Sequence, residues 1–178
     1  LDDWIPSDPS GESCRIGPVK DMEAAERIEA LLARAAAAGA RVTRSGLQAC
    51  RILGPRYVAP AVVEGAGEDA EVVREETFGP VLVVQEARDL DDALRLLNAV
   101  RQGLVASLFS RSDALWKRFK TNARAGILRR SSATAGALQG LPFGGWKASG
   151  WGEAEHAEAD ALFFTRHQAW IQPKETTS

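Results

Sequence analysis

Cysteine is nearly absent from this 178-residue sequence: Cys14 and Cys50 are the only two, too few for a disulfide framework. Histidine is as scarce, and His156 and His167 sit apart in the C-terminal part with neither triad nor metal-ligand spacing. Each reads best as an ordinary core or surface residue, and no metal site is expected. There is no basic excess, since 22 Lys+Arg against 24 Asp+Glu give a net charge of -2. A global nucleic-acid face is therefore excluded. No apolar run approaches the roughly 18 residues that a membrane-spanning helix needs. Neither a P-loop nor an internal repeat is present. No basic n-region runs into an apolar h-region, so a cytoplasmic setting is the default expectation. Methionine is missing until Met22 and the chain opens on Leu1, as expected of a processed, truncated or partly recorded polypeptide.

What is there suffices for a core. A chain of this length buries roughly 70% of its unfolded surface, and one domain is expected. Residues 1–20 are rich in Pro, Ser, Asp and Gly and read as a leading loop. Asp21 can cap a helix from Met22 to about Ala38 with Ala25, Ile28, Leu32 and Ala35 on one stripe and Gly39 as its stop. Val58–Val63 and Val81–Gln85 are short and β-branched, and so read as strands. A helix follows from Asp89 to Val100 with Leu90, Leu94 and Leu97 inward, then a strand over Leu104–Phe109. Ser112 can cap a helix over Asp113–Thr121, and Gly126–Leu128 starts a further strand. Strands alternating with helices predict an α/β layer architecture, a parallel sheet flanked by helices.

The tail differs. Phe163–Ile171 alternates Phe164, Arg166, Gln168 and Trp170 on one face with Phe163, Thr165, His167, Ala169 and Ile171 on the other. A terminal strand with two partly apolar faces needs a partner, from another subunit or from another part of a longer protein.

Two motifs carry the functional reading. Glu75-Glu76-Thr77-Phe78-Gly79-Pro80 runs into the Val81 strand, and Leu141-Pro142-Phe143-Gly144-Gly145-Trp146-Lys147-Ala148-Ser149-Gly150 follows later. By itself the first could be a solvated acidic pair ahead of a core strand with Phe78 in the core. Gly79 and Pro80 permit and then fix the turn into that strand. In the second, adjacent glycines allow close backbone approach, and Lys147 and Ser149 are as well explained by satisfying backbone groups or solvent as by binding.

The order and spacing of these motifs resemble the C-terminal signatures of the NAD(P)-dependent aldehyde dehydrogenase superfamily. Gly17-Pro18, Arg56-Tyr57-Val58-Ala59-Pro60 and the run Asn98, Gly103, Leu104, Ala106, Leu108, Phe109 fit the family pattern as well, with Gln102 in its tyrosine place. The resemblance implies that Glu76 accepts hydrogen bonds from the nicotinamide-ribose hydroxyls of NAD or NADP, a vicinal diol that a carboxylate's two oxygens suit. It implies that Phe78 packs near the nicotinamide, and that Phe143, Gly144 and Gly145 lie at the mouth of the substrate tunnel. It further implies a catalytic-domain-like α/β portion over 1–160 and a C-terminal oligomerisation strand and tail over 161–178.

One run departs from the pattern. Gly126-Ile127-Leu128-Arg129-Arg130-Ser131 puts two arginines where relatives are apolar. They could bind an acidic substrate group, since a guanidinium pairs bidentately with carboxylates, although a surface or interface role is the better reading. Gly11-Glu12-Ser13-Cys14 resembles the context of the family nucleophile, but Cys14 precedes Glu76 by only 62 residues, far closer than the family allows. Cys50 sits in no motif. Both cysteines read as loop or core thiols, and no catalytic residue is assigned.

The resemblance thus implies the C-terminal part of an enzyme oxidising an aldehyde or semialdehyde to the acid, without the nucleophilic cysteine or the nucleotide-binding half, and inactive alone. Partners would be further copies of itself or the missing N-terminal half, with a small aldehyde as the parent's substrate. The rival readings are a non-catalytic pseudoenzyme or assembly module, and one subunit of a split enzyme. Thr134-x-Gly136-Ala137 and Phe164-Thr165-Arg166 bear a weak likeness to semialdehyde-oxidising branches.

Overall fold

The computed structural model describes residues 1, 3–136 and 140–172, which form two compact units. The first covers residues 1–101 and the second begins at Gln102. Ala137 and residues 173–178 of the tail lie outside the described residues.

In the first unit the expected helix forms as α1 (Met22–Ala37), with the Ala24 N–H donating to Asp21 Oδ1 at 2.8 Å. Its stripe of Ala25, Ile28, Leu31, Leu32 and Ala35 is buried. Gly39 sits at φ +94, a left-handed conformation that lets the Ala40 N–H turn back to the Ala35 carbonyl at 3.0 Å. That reversal feeds β1 (Arg41–Arg44), and α2 (Leu47–Leu53) follows. Then come β2 (Ala61–Glu64), α3 (Glu71–Arg74), β3 (Val81–Val84) and α4 (Leu90–Ala99). The sheet order is β1-β2-β3; β2 and β3 are parallel, with Val63 opposite Val83, while β1 runs antiparallel to β2.

The expected parallel pairing is present in β2–β3, and β1 adds an antiparallel strand to it. The alternation Arg-Val-Thr-Arg of β1 offers a single apolar residue to the core, so it carries no strand signal. Strand β2 also starts later than expected. Val58 and Ala59 are buried, but Pro60 has no N–H to give a ladder, and pairing begins at Ala61. The α1 stripe packs with Val58, Ala61, Val63 and Val72 as this unit's core. A bidentate pair of Arg34 with Glu71, both bonds 2.9 Å, ties α1 to α3.

The second unit holds β4 (Val105–Leu108), α5 (Asp113–Asn122) and β5 (Ile127–Arg130). The two strands pair in parallel as a separate sheet, with Ala106 opposite Leu128. Ser112 Oγ caps α5 by accepting from the Leu115 N–H, and Phe119, Ala106, Ala123 and Ala125 are buried. A 3-10 turn covers Lys147–Ser149, and α6 covers Ala159–Phe164.

The expected C-terminal strand does not form within the described chain. Phe163 and Phe164 close α6, and residues 165–172 take no regular structure. An extended segment becomes a strand only against another strand, and among the described residues none pairs with residues 165–172. No described helix is long and apolar enough to cross a membrane.

Candidate functional site

The Glu-Glu-Thr-Phe-Gly-Pro loop links α3 to β3, and α1 fixes its backbone. Arg27 Nη2 donates to the Thr77 carbonyl at 2.8 Å, and Ile28, fully buried, sits beneath Gly79. Phe78 between them adopts φ +49, unusual for a residue with a Cβ, and its ring is 73% exposed. The chain then locks onto the sheet, with the Ala61 N–H donating to the Pro80 carbonyl at 2.9 Å. Glu75 pairs with Arg101 at 3.6 Å. Glu76 is exposed, and no described group donates to its carboxylate. The loop therefore presents an acceptor pair and an aromatic face to solvent from a braced backbone. Of the two readings, Phe78 as a core residue is overturned by its exposure.

The glycine block forms part of the second unit and is built by close backbone approach. The Gly103 carbonyl accepts from both the Gly126 N–H (3.0 Å) and the Trp146 N–H (2.8 Å), while the Gly103 N–H donates to Ser149 Oγ at 3.0 Å. Phe143 bridges Glu155 antiparallel through bonds of 2.7 and 3.0 Å. Ser149 thus has a structural task. Lys147 takes φ +55, and burial, reinforced by the Arg124 charge, pushes its ammonium below the usual range. Phe143, Gly144 and Gly145 line a cavity of about 460 Å³ with Trp146, Trp151 and Glu153.

A second cavity, also about 460 Å³, is lined by Ile127, Leu128, Arg129, Leu141, Pro142 and Phe143. Successive strand residues face opposite sides, and the two unexpected arginines part accordingly. Arg130 Nε donates to the Ser110 carbonyl at 3.2 Å, its Nη2 to the Arg111 carbonyl at 2.8 Å, and its Nη1 pairs with Asp113 at 2.6 Å. It braces the β4–α5 connection. Arg129 Nη2 donates to the Gly136 carbonyl, while its Nε is buried without a hydrogen-bond partner.

Neither cysteine resembles an activated thiol. Cys14 Sγ donates to the Ser7 carbonyl at 3.4 Å, and burial pushes the Cys50 thiol above its usual pKa. His156 and His167 are exposed. The Phe143 and His156 rings lie 5.8 Å apart, and the His156 N–H donates to Asp160 Oδ1 at 2.6 Å. Sequence reasoning placed Ile28 in the core but missed that it lies under Gly79, and nothing in the sequence marked Arg27 as the brace of Thr77.

The family model described as "Aldehyde dehydrogenase family" matches residues 2–169. The chain is 43% identical over 135 residues to N-succinylglutamate 5-semialdehyde dehydrogenase 1 of Caulobacter vibrioides, covering 76% of this chain and 28% of that protein. It is 34% identical over 165 residues to an NADP-linked succinate-semialdehyde dehydrogenase of Deinococcus radiodurans, covering 93% and 34%. An NAD-dependent aldehyde dehydrogenase from Sinorhizobium meliloti superposes with a TM-score of 0.76 at 30% identity, over 86% of this chain and 30% of that one. The chain spans roughly a third of the length of the proteins it matches.

Proposed function

The chain belongs to the aldehyde dehydrogenase family, and from that premise we propose that it is the C-terminal catalytic-domain portion of an NAD(P)-dependent enzyme oxidising a carboxylate-bearing aldehyde to the acid. The observation that carries the reading is the braced loop on which Glu76 and Phe78 stand exposed. The donor-free Glu76 carboxylate suits a vicinal diol, and the Phe78 face suits a flat heteroaromatic ring. The nicotinamide cofactor, when bound, supplies the hydride acceptor. Glu76 holds the ribose hydroxyls and Phe78 limits the ring's orientation, so this chain contributes positioning. Phe143, Gly144 and Gly145 shape the substrate mouth. A semialdehyde substrate is favoured by analogy with the named relatives, which act on succinylglutamate semialdehyde and succinate semialdehyde.

The thiolate attack and the base-assisted hydrolysis that complete such a cycle are assigned to no residue here, because Cys14 is engaged with a backbone carbonyl and burial disfavours the Cys50 thiolate. The chain alone is accordingly expected to be inactive, a loss of covalent catalysis costing on the order of 10⁶ in rate. Turnover of a simple aldehyde by the isolated chain with NAD or NADP, abolished by Cys14→Ala, would overturn that assignment. In the complete enzyme Glu76→Gln is expected to weaken cofactor affinity while leaving the thermal midpoint unchanged. Unaltered affinity and turnover would remove Glu76 from the site.

A second reading, an assembly module, is favoured by the tail. Phe164, Trp170 and Ile171 are 77%, 85% and 89% exposed, an apolar surface that a subunit interface would cover. Oligomerisation through residues 161–178 is compatible with both readings.

A further inference from the structure

We infer that Arg129 is the carboxylate-recognising residue of the cavity lined by β5, Ser132 and residues 141–143, an inference that rests on the semialdehyde reading and gives it a residue. Sequence alone left Arg129 and Arg130 equivalent. The structure separates them. Arg130 has three partners, two loop carbonyls and Asp113, and is consumed in bracing its own unit. Arg129 lines a cavity of about 460 Å³ whose other walls include Ile127, Leu128, Leu141, Pro142 and Phe143. Among the described residues its one acceptor is the Gly136 carbonyl, and no carboxylate matches its charge.

A guanidinium beside apolar walls is costly unless its N–H groups find acceptors. Arg129 Nε is buried and has none. Among the described residues, Arg44 Nε is the other side-chain atom in that condition, and it belongs to a guanidinium already neutralised by Glu29 through bonds of 2.6 and 2.7 Å. Arg129 lacks such a counter-charge, and a ligand carboxylate would supply both the charge and the missing acceptor. The apolar walls would hold the methylene chain between carboxylate and aldehyde, and Ser132, which also lines the cavity, adds a hydroxyl. Phe143 lines this cavity and the neighbouring one, so the carboxylate subsite borders the residues assigned to the substrate mouth.

Butanoate and its uncharged isostere butanamide test the inference on the full 178-residue chain, by ligand-observed NMR titration. The chain is expected to bind butanoate at least tenfold more tightly than butanamide. Arg129→Gln should abolish that preference, Arg129→Lys should keep part of it, and Arg130→Gln should leave it within twofold. Equal binding of the two probes, no binding of butanoate, or an unchanged preference in Arg129→Gln overturns the proposal. An equal loss in Arg130→Gln does the same. If the glutamine variant does not fold, the isostere comparison on the unsubstituted chain and the lysine variant decides.

The parent reading fails differently. A complete enzyme indifferent to the charge of its aldehyde sinks the substrate class, whereas one that prefers acidic aldehydes and keeps that preference in Arg129→Gln sinks Arg129 alone.

Discussion

Gly126 and Gly144 meet backbone to backbone, so closely that a Cβ on Gly126 would stand 1.8 Å from the Gly144 carbonyl oxygen. The same closeness recurs between Gly150 and Gly145, also at 1.8 Å. The glycine block is therefore held by main chain against main chain. Gly126→Ala is expected to cost about 1–3 kcal/mol or more, since backbone cannot step aside as a side-chain end can. Urea unfolding of the chain measures it. Gly67→Ala, where a Cβ meets nothing within 4 Å, is the matched control. Equal midpoints for the two variants would show that the contact carries no strain.

Ile28 links the core to the candidate cofactor loop, for it is fully buried on α1 and its Cδ1 would lie 2.5 Å from a Cβ on Gly79. Ile28→Ala is expected to destabilise the chain by about 2–5 kcal/mol, and Ile28→Val by about 0.5–1.5 kcal/mol. In the complete enzyme the valine variant should also raise KM for the cofactor, because the support beneath Phe78 and Gly79 loosens. A stability loss with no change in cofactor binding would confine Ile28 to packing.

The Asp92 carboxyl takes donors from two arginines, Arg88 Nε at 3.1 Å and Arg95 Nη2 at 2.8 Å, and Arg95 holds Glu68 through bonds of 2.5 and 2.7 Å. The Arg88 and Arg95 hydrogen bonds keep Asp92 far below the usual carboxylate range, and the Arg95 bonds lower Glu68 in the same direction. A depressed folded-state pKa gives stability that is fully present above the unfolded value and lost as pH falls through the folded one. The urea midpoint should thus hold from neutral pH to about pH 5 and decline below about pH 4, where unfolded Asp and Glu begin to take up protons. Asp92→Asn should lower the midpoint at pH 7 and flatten that acid decline. An identical acid profile in the variant would show that Asp92 does not govern it.

Self-association is expected through residues 163–171, whose Phe163, Phe164, Trp170 and Ile171 are all exposed. Sedimentation of the chain at micromolar concentration should give a species larger than a monomer. Phe164→Ser with Trp170→Ser should return it to monomer without changing its melting temperature. A monodisperse monomer before substitution defeats the interface reading.

Elements whose information is local were legible in the sequence. Asp21, Asp89 and Ser112 are capping residues by chemistry, and each accepts the N–H three residues on, at 2.8, 2.9 and 3.3 Å. The 3.6-residue stripe of α1 announced its buried face. The β-branched run at Val81 announced β3, and the motifs announced the family.

What needed the folded chain was everything set by partners distant in sequence. β1 carries too few apolar residues to signal a strand, and its antiparallel direction comes from the Gly39 turn and the pairing of Val42 with Val63. The Phe163–Ile171 alternation reads as a strand, yet a strand exists only against another; in the chain by itself Phe163 and Phe164 close α6. Arg129 and Arg130 are indistinguishable as letters. Their different fates follow from the side of β5 each faces, one toward the β4–α5 connection and the other toward a cavity, because pairing with β4 fixes the orientation of the strand.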